Sequence, residues 1–463
     1  MSEQQLTFDE VTEEVKQEID SKHYMSARNL LLTQNEADIA EILEEVGDAL
    51  GIEKTVAMFR MLPKDVSVEV FSFLDSDEQT AIIQAINEKE ITFILDELDF
   101  DDKIDVLEEL PANIVDKILM KTPKEERKLI NTFLNYPEDC AGTLMTPEYV
   151  SLQKDMTVNE ALAQVRKEGI DSETIYTCYV KDFGRKLIGI VSLRSLVLAD
   201  GNKHLSELMN TDVVSVEVYD DQEKVAEAFK KYGYLAIPVV DSEHRIVGII
   251  TFDDILDVIE DEATEDIERM AGVMSGDSAG DEYLDISVMQ HVKNRLPWLL
   301  FLTVSAMITG TIIAQFENVL SQVIILVSYL PLLMGSGGNS GSQAATLVIR
   351  GLAVGDIDTK DYAKVMWKEA RISIIVGVTL SLFNMAKVIF IDGQSIMIGL
   401  TVATSQILIV FFAKMLGGLL PIGAKKVGID PALMASPMIS SISDMFSVVT
   451  YLLLSCAFLG ISI

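Results

Sequence analysis

The stretch ALMASPMISSISDMFSVVTYLLLSCAFLGISI, residues 432–463, carries a single charged side chain, Asp444. About 20 apolar residues cross a hydrocarbon core, so this segment reads as a membrane span. A carboxylate at the centre of such a helix costs roughly 2.5–3.5 kcal/mol on the insertion scale, and such residues face a bundle interior or a wet path. Ser436, Ser440 and Asp444 recur every four residues and share one helix face. Pro437 is expected to leave the carbonyl of Leu433 without a helical partner. A face of oxygens with one negative charge suits a hard divalent cation. Magnesium surrenders its waters reluctantly, so the expectation is a largely hydrated ion that Asp444 meets through water. The competing reading is a structural ion pair between Asp444 and a basic group such as Lys414.

Four further apolar segments precede it, at residues 296–316, 319–348, 372–391 and 395–420. The loops on one side carry Lys293, Arg295, Arg350, Lys360, Lys364, Lys368, Arg371, Lys425 and Lys426. The loops on the other side, near Glu317 and Asp392, carry no Lys or Arg. Basic loops stay in the cytoplasm, so the N-terminus is expected inside and, after five spans, the C-terminus outside. Lys387 and Lys414 lie near span ends and can snorkel.

The second span contains PLLMGSGGNSGSQAA, residues 331–345, with Gly335, Gly337, Gly338 and Gly341. These glycines are expected to break or loosen the helix at membrane depth, as in transporters whose unwound backbone lines an ion path. The alternative is close helix packing through small residues. Asn339 and Gln343 share a face, and no GKS or GKT follows that would make a phosphate loop. Glu369, in WKEARIS at the inner mouth of the third span, is either a pore-entrance carboxylate or half of a surface ion pair with Arg371.

The net charge of −35 is unevenly placed: residues 292–463 hold 11 Lys+Arg and 8 Asp+Glu, against 26 and 64 in residues 1–291. Acid of this density repels phosphate and excludes nucleic acid as a partner. It suits magnesium or calcium, which take carboxylate oxygen. Cys140, Cys178 and Cys456 form no CxxC pair, so no disulfide framework is expected. The four histidines are scattered, which argues against zinc or copper. Residues 1–10 are too polar for a signal peptide, and no nucleophile–base arrangement points to an enzyme.

Residues 1–135 show apolar residues at three- and four-residue spacing, the mark of helices. Leu62-Pro63 and Leu110-Pro111 each open a similar stretch, which predicts either a helix-pair repeat forming a superhelical stack or an ordinary helical domain. Between residues 140 and 260 two half-repeats stand 59 residues apart. Ile188-Gly189-Ile190-Val191-Ser192 matches Val247-Gly248-Ile249-Ile250-Thr251, and Asp182 matches Asp241. Helical stretches at 158–168 and 222–232 precede the strand pairs. A helix then carries Asp253, Asp254, Asp257, Glu260, Asp261, Glu262, Glu265, Asp266 and Glu268. Like charges at helical spacing repel. Cations held between this helix and the acidic first domain would remove the repulsion; a solvated face is the plainer alternative. Residues 275–280 read as a loop and 281–294 as a short amphipathic helix.

The duplicated helix–strand–strand unit resembles a tandem pair of CBS domains. Together with YPEDCAGTLMTPEYV (residues 136–150), GSGGNSGSQ and DPALMASPMISSISD, the likeness extends over residues 30–463 and resembles the MgtE family of magnesium channels. The resemblance implies a multidomain fold: an acidic α-helical superhelix (1–135), α/β tandem CBS domains (136–259), a connecting plug helix starting near 254 with its linker to 291, and a five-helix α transmembrane domain (292–463). It implies a homodimer in the cell membrane, with one pore on the two-fold axis and magnesium as both cargo and regulator. The family's selectivity aspartate falls on Asp444, and its plug helix on about 254–274. Its regulatory magnesium sites fall on Asp254, Asp257, Glu262, Glu265 and Asp266, faced by first-domain acids between Asp96 and Asp102. CBS pairs of this family also bind ATP or another adenine nucleotide. Thr251 to Asp254 fits the ribose-binding pattern and Arg194 is placed for phosphate, whereas Ser192 and Ser195 of the first repeat depart from it. A cation-coupled secondary transporter and a poreless membrane-anchored CBS sensor are the other readings.

Overall fold

Leu62, Leu74, Ile86, Leu98 and Leu110 recur every 12 residues, and all are buried. Each stands just before a helix-starting residue: Pro63, Asp75, Asn87, Asp99 and Pro111, with Pro123 continuing the series. Proline tolerates the first helical turn, and Asp or Asn can accept a free N–H there. The computed structural model accordingly shows six short helices in register: Lys64–Ser72, Ser76–Ala85, Glu88–Glu97, Phe100–Glu109, Ala112–Lys121 and Lys124–Phe133. Among the first of these, each helix touches the one two places on, which is a superhelical stack. The repeating unit is a single helix rather than the expected pair.

The structure describes residues 7–274, 283–284, 286–434 and 436–461. The expected loop at 275–280 and the start of the expected short helix at 281 lie outside them. The chain divides into two units, Met1–Val258 and Ile259–Ile463.

The first unit also holds the duplicated sheets. Strands β1 (Tyr149–Gln153), β2 (Thr174–Lys181) and β3 (Leu187–Ser192) form one; β4 (Val216–Glu217), β5 (Ala236–Val240) and β6 (Ile246–Thr251) form the other. In each, the first pair is parallel and the second antiparallel, with register shifts at the matching positions Val180/Lys181 and Val239/Val240. The glycine shared by the half-repeats has a steric cause. A Cβ on Gly248 would lie 2.8 Å from the carbonyl oxygen of Thr146, and one on Gly189 3.0 Å from that of Asn210. Those segments bridge to the neighbours Ile249 and Ile190.

The second unit contains the C-terminal part of the plug helix (Phe252–Ala271) and five long helices: Val288–Gln315, the glycine helix Leu330–Ala353, Tyr362–Ala386, Ile396–Lys426 and the carboxylate helix Ser436–Leu459. Among the described residues four helices are long and apolar enough to cross a membrane, and the glycine helix is not one of them. Several expectations are corrected here. The glycines do not break their helix, which runs without interruption through Gly335–Gly341. That helix starts at Leu330, and residues expected to open the span form a short helix, Glu317–Gln322, and a 3-10 turn, Ile324–Tyr329. The expected amphipathic helix is not separate after residue 288, because Val288–Gln315 continues into the first span. Pro437 sits in the first turn of the carboxylate helix, where its missing N–H costs nothing, so it opens the helix rather than freeing the Leu433 carbonyl inside it.

What the glycines provide is proximity. A Cβ on Gly341 would stand 2.6 Å from Ile439 Cγ2 and 3.0 Å from the Ala413 carbonyl oxygen. Gly341→Val is therefore expected to overpack three helices and cost about 1–3 kcal/mol. A lowered melting temperature of the purified protein in detergent checks this; an unchanged one would mean that the helices stand further apart.

Candidate functional site

Asp444 lies one helical turn from Ser440, half-buried. The glycine helix supports this face at close range: a Cβ on Gly338 would meet Ser440 Oγ at 3.1 Å, and one on Gly337 would meet Ser447 Oγ at 2.9 Å. Ser436 is helical, but its side chain lies outside the described residues. Among the described residues no ion pair reaches Asp444. Lys414, the basic group proposed as its partner, donates instead to the Ser340 carbonyl at 3.4 Å and is the cation acting most strongly on Glu369.

Glu369 is placed differently from the expected surface ion pair with Arg371. It is 7% exposed, so it is no surface residue, and the guanidinium of Arg371 lies 5.8 Å from the Trp367 ring centroid. Lys414 is the strongest-acting cation for Glu369, ahead of Lys368.

The second site is built by helix N-termini and strand ends of the first unit. Asp99 stands at the N-cap position of the helix Phe100–Glu109 and Asp101 and Asp102 lie in its first turn, while Asp253 and Asp254 open the plug helix. Acids are favoured at a helix N-terminus by the macrodipole. Glu148 precedes β1 and Glu173 precedes β2, and the Glu173 N–H donates to the Glu148 carbonyl at 2.8 Å. Carboxylate oxygens of Asp99, Glu148 and Glu173 lie within 4.8 Å of one another. Among the described residues Glu173 Oε2 is buried without a hydrogen-bond partner.

This gathering of acid is expensive when ionised. Burial first, then Asp254 and Glu173, push the Asp101 carboxyl up to about 9. Burial, then Asp99 and Asp254, push Glu173 up to about 8, and burial with Asp99 pushes Asp102 up to about 6. Burial also raises Asp99, Glu148 and Asp254. A divalent cation supplies the positive charge that such a set lacks, and hard oxygen ligands suit magnesium.

The linkage has a definite sign. With folded values raised toward 8 and 9, the folded unit holds more protons than the unfolded chain from the ordinary carboxylate range up to about 9. Stability therefore falls as pH rises through that window. Metal-free protein is expected to melt higher at pH 6 than at pH 9, with magnesium restoring stability at pH 9. A metal-free melting temperature independent of pH would contradict the clustering.

The expected regulatory acids are divided among three places. Asp254, next to Asp257, belongs to the cluster just described, and Thr251 Oγ1 donates to Asp254. Glu265, near Glu262, pairs with Arg269, which also reaches Asp430 at 2.6 Å. Asp266 is half-buried on the same helix. Asp96, the expected first-domain ligand, is neighboured by Lys103, Glu126 and Glu97, whereas Asp99, Asp101 and Asp102 face the plug-helix acids. Arg194 is exposed on the helix Leu193–Leu198. Sequence reasoning missed Glu148, Glu173 and the Arg269–Asp430 pair. Glu148 stood inside the 136–150 motif, and Arg269 is the lone basic residue of the plug helix. Glu173 carried no such signal. Met270, beside Arg269, packs against Ala345, Ile349 and Ile439, so the end of the plug helix rests on both helices of the Asp444 face.

Residues 330–454 match the family model described as a divalent cation transporter. Residues 34–139 match the MgtE intracellular N domain, and residues 141–202 and 205–261 the CBS domain. The magnesium transporter MgtE of Thermus thermophilus is 39% identical over 446 residues, covering 94% of this chain and 98% of that protein. The magnesium transporter MgtE of Bacillus subtilis is 34% identical over 359 residues, 78% of each. A crystal structure of the cytosolic domain of the Mg2+ channel MgtE in complex with ATP is 36% identical, covers 52% of this chain and 98% of that one, and superposes with a TM-score of 0.49. The chain thus belongs to the MgtE family of magnesium transporters and is not an enzyme.

Proposed function

We propose that the chain is a homodimeric channel that takes magnesium up across the cell membrane and is closed by magnesium on its cytoplasmic side. The observation that carries this reading is Asp444, a carboxylate on an otherwise uncharged helix with no cationic partner among the described residues. On a two-fold axis two such carboxylates would share one wet path and concentrate hydrated divalent ions there. An inside-negative potential of about 100 mV favours entry of a doubly charged ion by about 4.6 kcal/mol. The basic loops support an inner N-terminus with cytoplasmic CBS domains and an outer C-terminus.

Asp99, Asp101, Glu148, Glu173 and Asp254, together with Asp257, Glu262, Glu265 and Asp266 along the plug helix, are suited to hold regulatory magnesium. Bound magnesium supplies positive charge between these acids. Without it, the carboxylates repel, the acidic faces part, and the plug helix loses its hold on the pore helices. Closure is then a population shift toward the state that the ion prefers. An adenine nucleotide is a second ligand of the CBS pair in this reading, through Thr251, Asp254 and Arg194. Asp254 would serve both ligands.

Purified protein in liposomes with an internal magnesium indicator tests the reading. Flux driven by voltage alone is expected. A requirement for a proton or sodium gradient would instead mean a coupled transporter, and absence of flux a poreless sensor.

A further inference from the structure

Conduction past Asp444 makes no use of a second charged feature of the membrane unit. An open cavity of about 750 Å³ is lined by Asn339, Ser342, Gln343, Thr346, Glu369 and Lys414, with an apolar wall. Glu369 is 7% and Lys414 4% exposed. Among the described residues Glu369 Oε2 is buried with no hydrogen-bond partner, and the hydrogen bond of Lys414 to the Ser340 carbonyl is long at 3.4 Å. Two internal charges are therefore incompletely satisfied beside a space much larger than an ion.

The charges decide what fits. A metal ion at Glu369 would meet the Lys414 ammonium, and a simple anion at Lys414 would meet the Glu369 carboxylate. A molecule carrying both signs satisfies both. Depth points to its source. Trp367 is exposed one turn or less from Glu369, with Arg371 stacked on it, and such residues mark the membrane–water interface. Leu347 on the cavity wall and Ile375 close by are exposed apolar surface suited to acyl chains.

We propose that this cavity binds the headgroup of an aminophospholipid from the inner leaflet, with the primary ammonium on Glu369 and the phosphate on Lys414. The amides of Asn339 and Gln343 and the hydroxyls of Ser342 and Thr346 supply further polar partners. A choline headgroup carries no N–H to donate to Glu369, and a glycerol headgroup carries no cation. The occupied site braces the glycine helix from behind, at Ser340, while Gly337 and Gly338 of that helix support the Asp444 face.

Native mass spectrometry of the full-length protein in detergent, with phosphatidylethanolamine, phosphatidylcholine and phosphatidylglycerol at equal concentration, tests this. Retention of phosphatidylethanolamine about tenfold above the other two is expected, as for one charge-assisted hydrogen bond. Glu369→Gln should abolish the preference. Thr346→Leu, which fills the cavity without removing a charge, should do the same and serves where Glu369→Gln does not fold. Asp444→Asn should keep the preference, which separates this site from the conduction reading. Equal retention of the three lipids, strongest retention of phosphatidylglycerol, or a preference that survives in folded Glu369→Gln would each overturn the proposal.

Discussion

Asp444→Ala is expected to abolish magnesium flux while leaving the protein folded. At about 5 Å a carboxylate attracts a divalent ion by roughly 2 kcal/mol in bulk water and roughly 7 at an effective dielectric of 20. Two copies on one path double the effect, so flux should fall by at least about a hundredfold. Folding should survive because no described cation is paired with Asp444, and truncation strands no buried partner. Removing a carboxylate from a membrane helix even relieves a cost of about 2.5–3.5 kcal/mol. Indicator flux in liposomes, with size-exclusion chromatography of the same preparation, makes the measurement. Wild-type flux through a folded mutant would end the selectivity role.

The second large effect concerns closure. Asp101→Ala combined with Glu173→Ala should leave the channel open at internal magnesium that closes the wild type. Two terms compete in this variant. Losing carboxylates weakens magnesium binding, which favours opening, and relieves repulsion, which favours closing. The first term governs at high magnesium, because a ligand shifts an equilibrium only by its differential affinity, and that affinity resides in the removed oxygens. Half-closure should need at least about ten times more magnesium. Patch recording while cytosolic magnesium is stepped reads the shift. An unchanged closing concentration would show that these acids do not form the gate.

Much of this was written in the chain before any folding. The span containing Asp444 follows from hydropathy alone, and the 59-residue offset of the half-repeats foretold two sheets of one topology. The 12-residue period of the first domain was equally present. The period is hard to see because Leu-Pro marks only two of its starts, while Asp75, Asn87 and Asp99 stand at others, with Asn87 accepting from the N–H groups of Lys89 and Glu90. The unbroken glycine helix has a different cause. Glycine lowers helix propensity by about 1 kcal/mol per residue, but close packing against the carboxylate helix repays this. Nothing local reveals such packing.

The order of the domains and the charge-poor helix around Asp444 are properties of composition and period, and the sequence alone determined them. Which charges meet was decided only by the tertiary structure. Asp99, Glu148, Glu173 and Asp254 are brought together from distant parts of the chain, and Lys414 is turned away from Asp444 toward Glu369. Periodicity reports which face of a helix is apolar; a Coulomb energy depends on the distance between side chains on different elements, and only packing sets that distance.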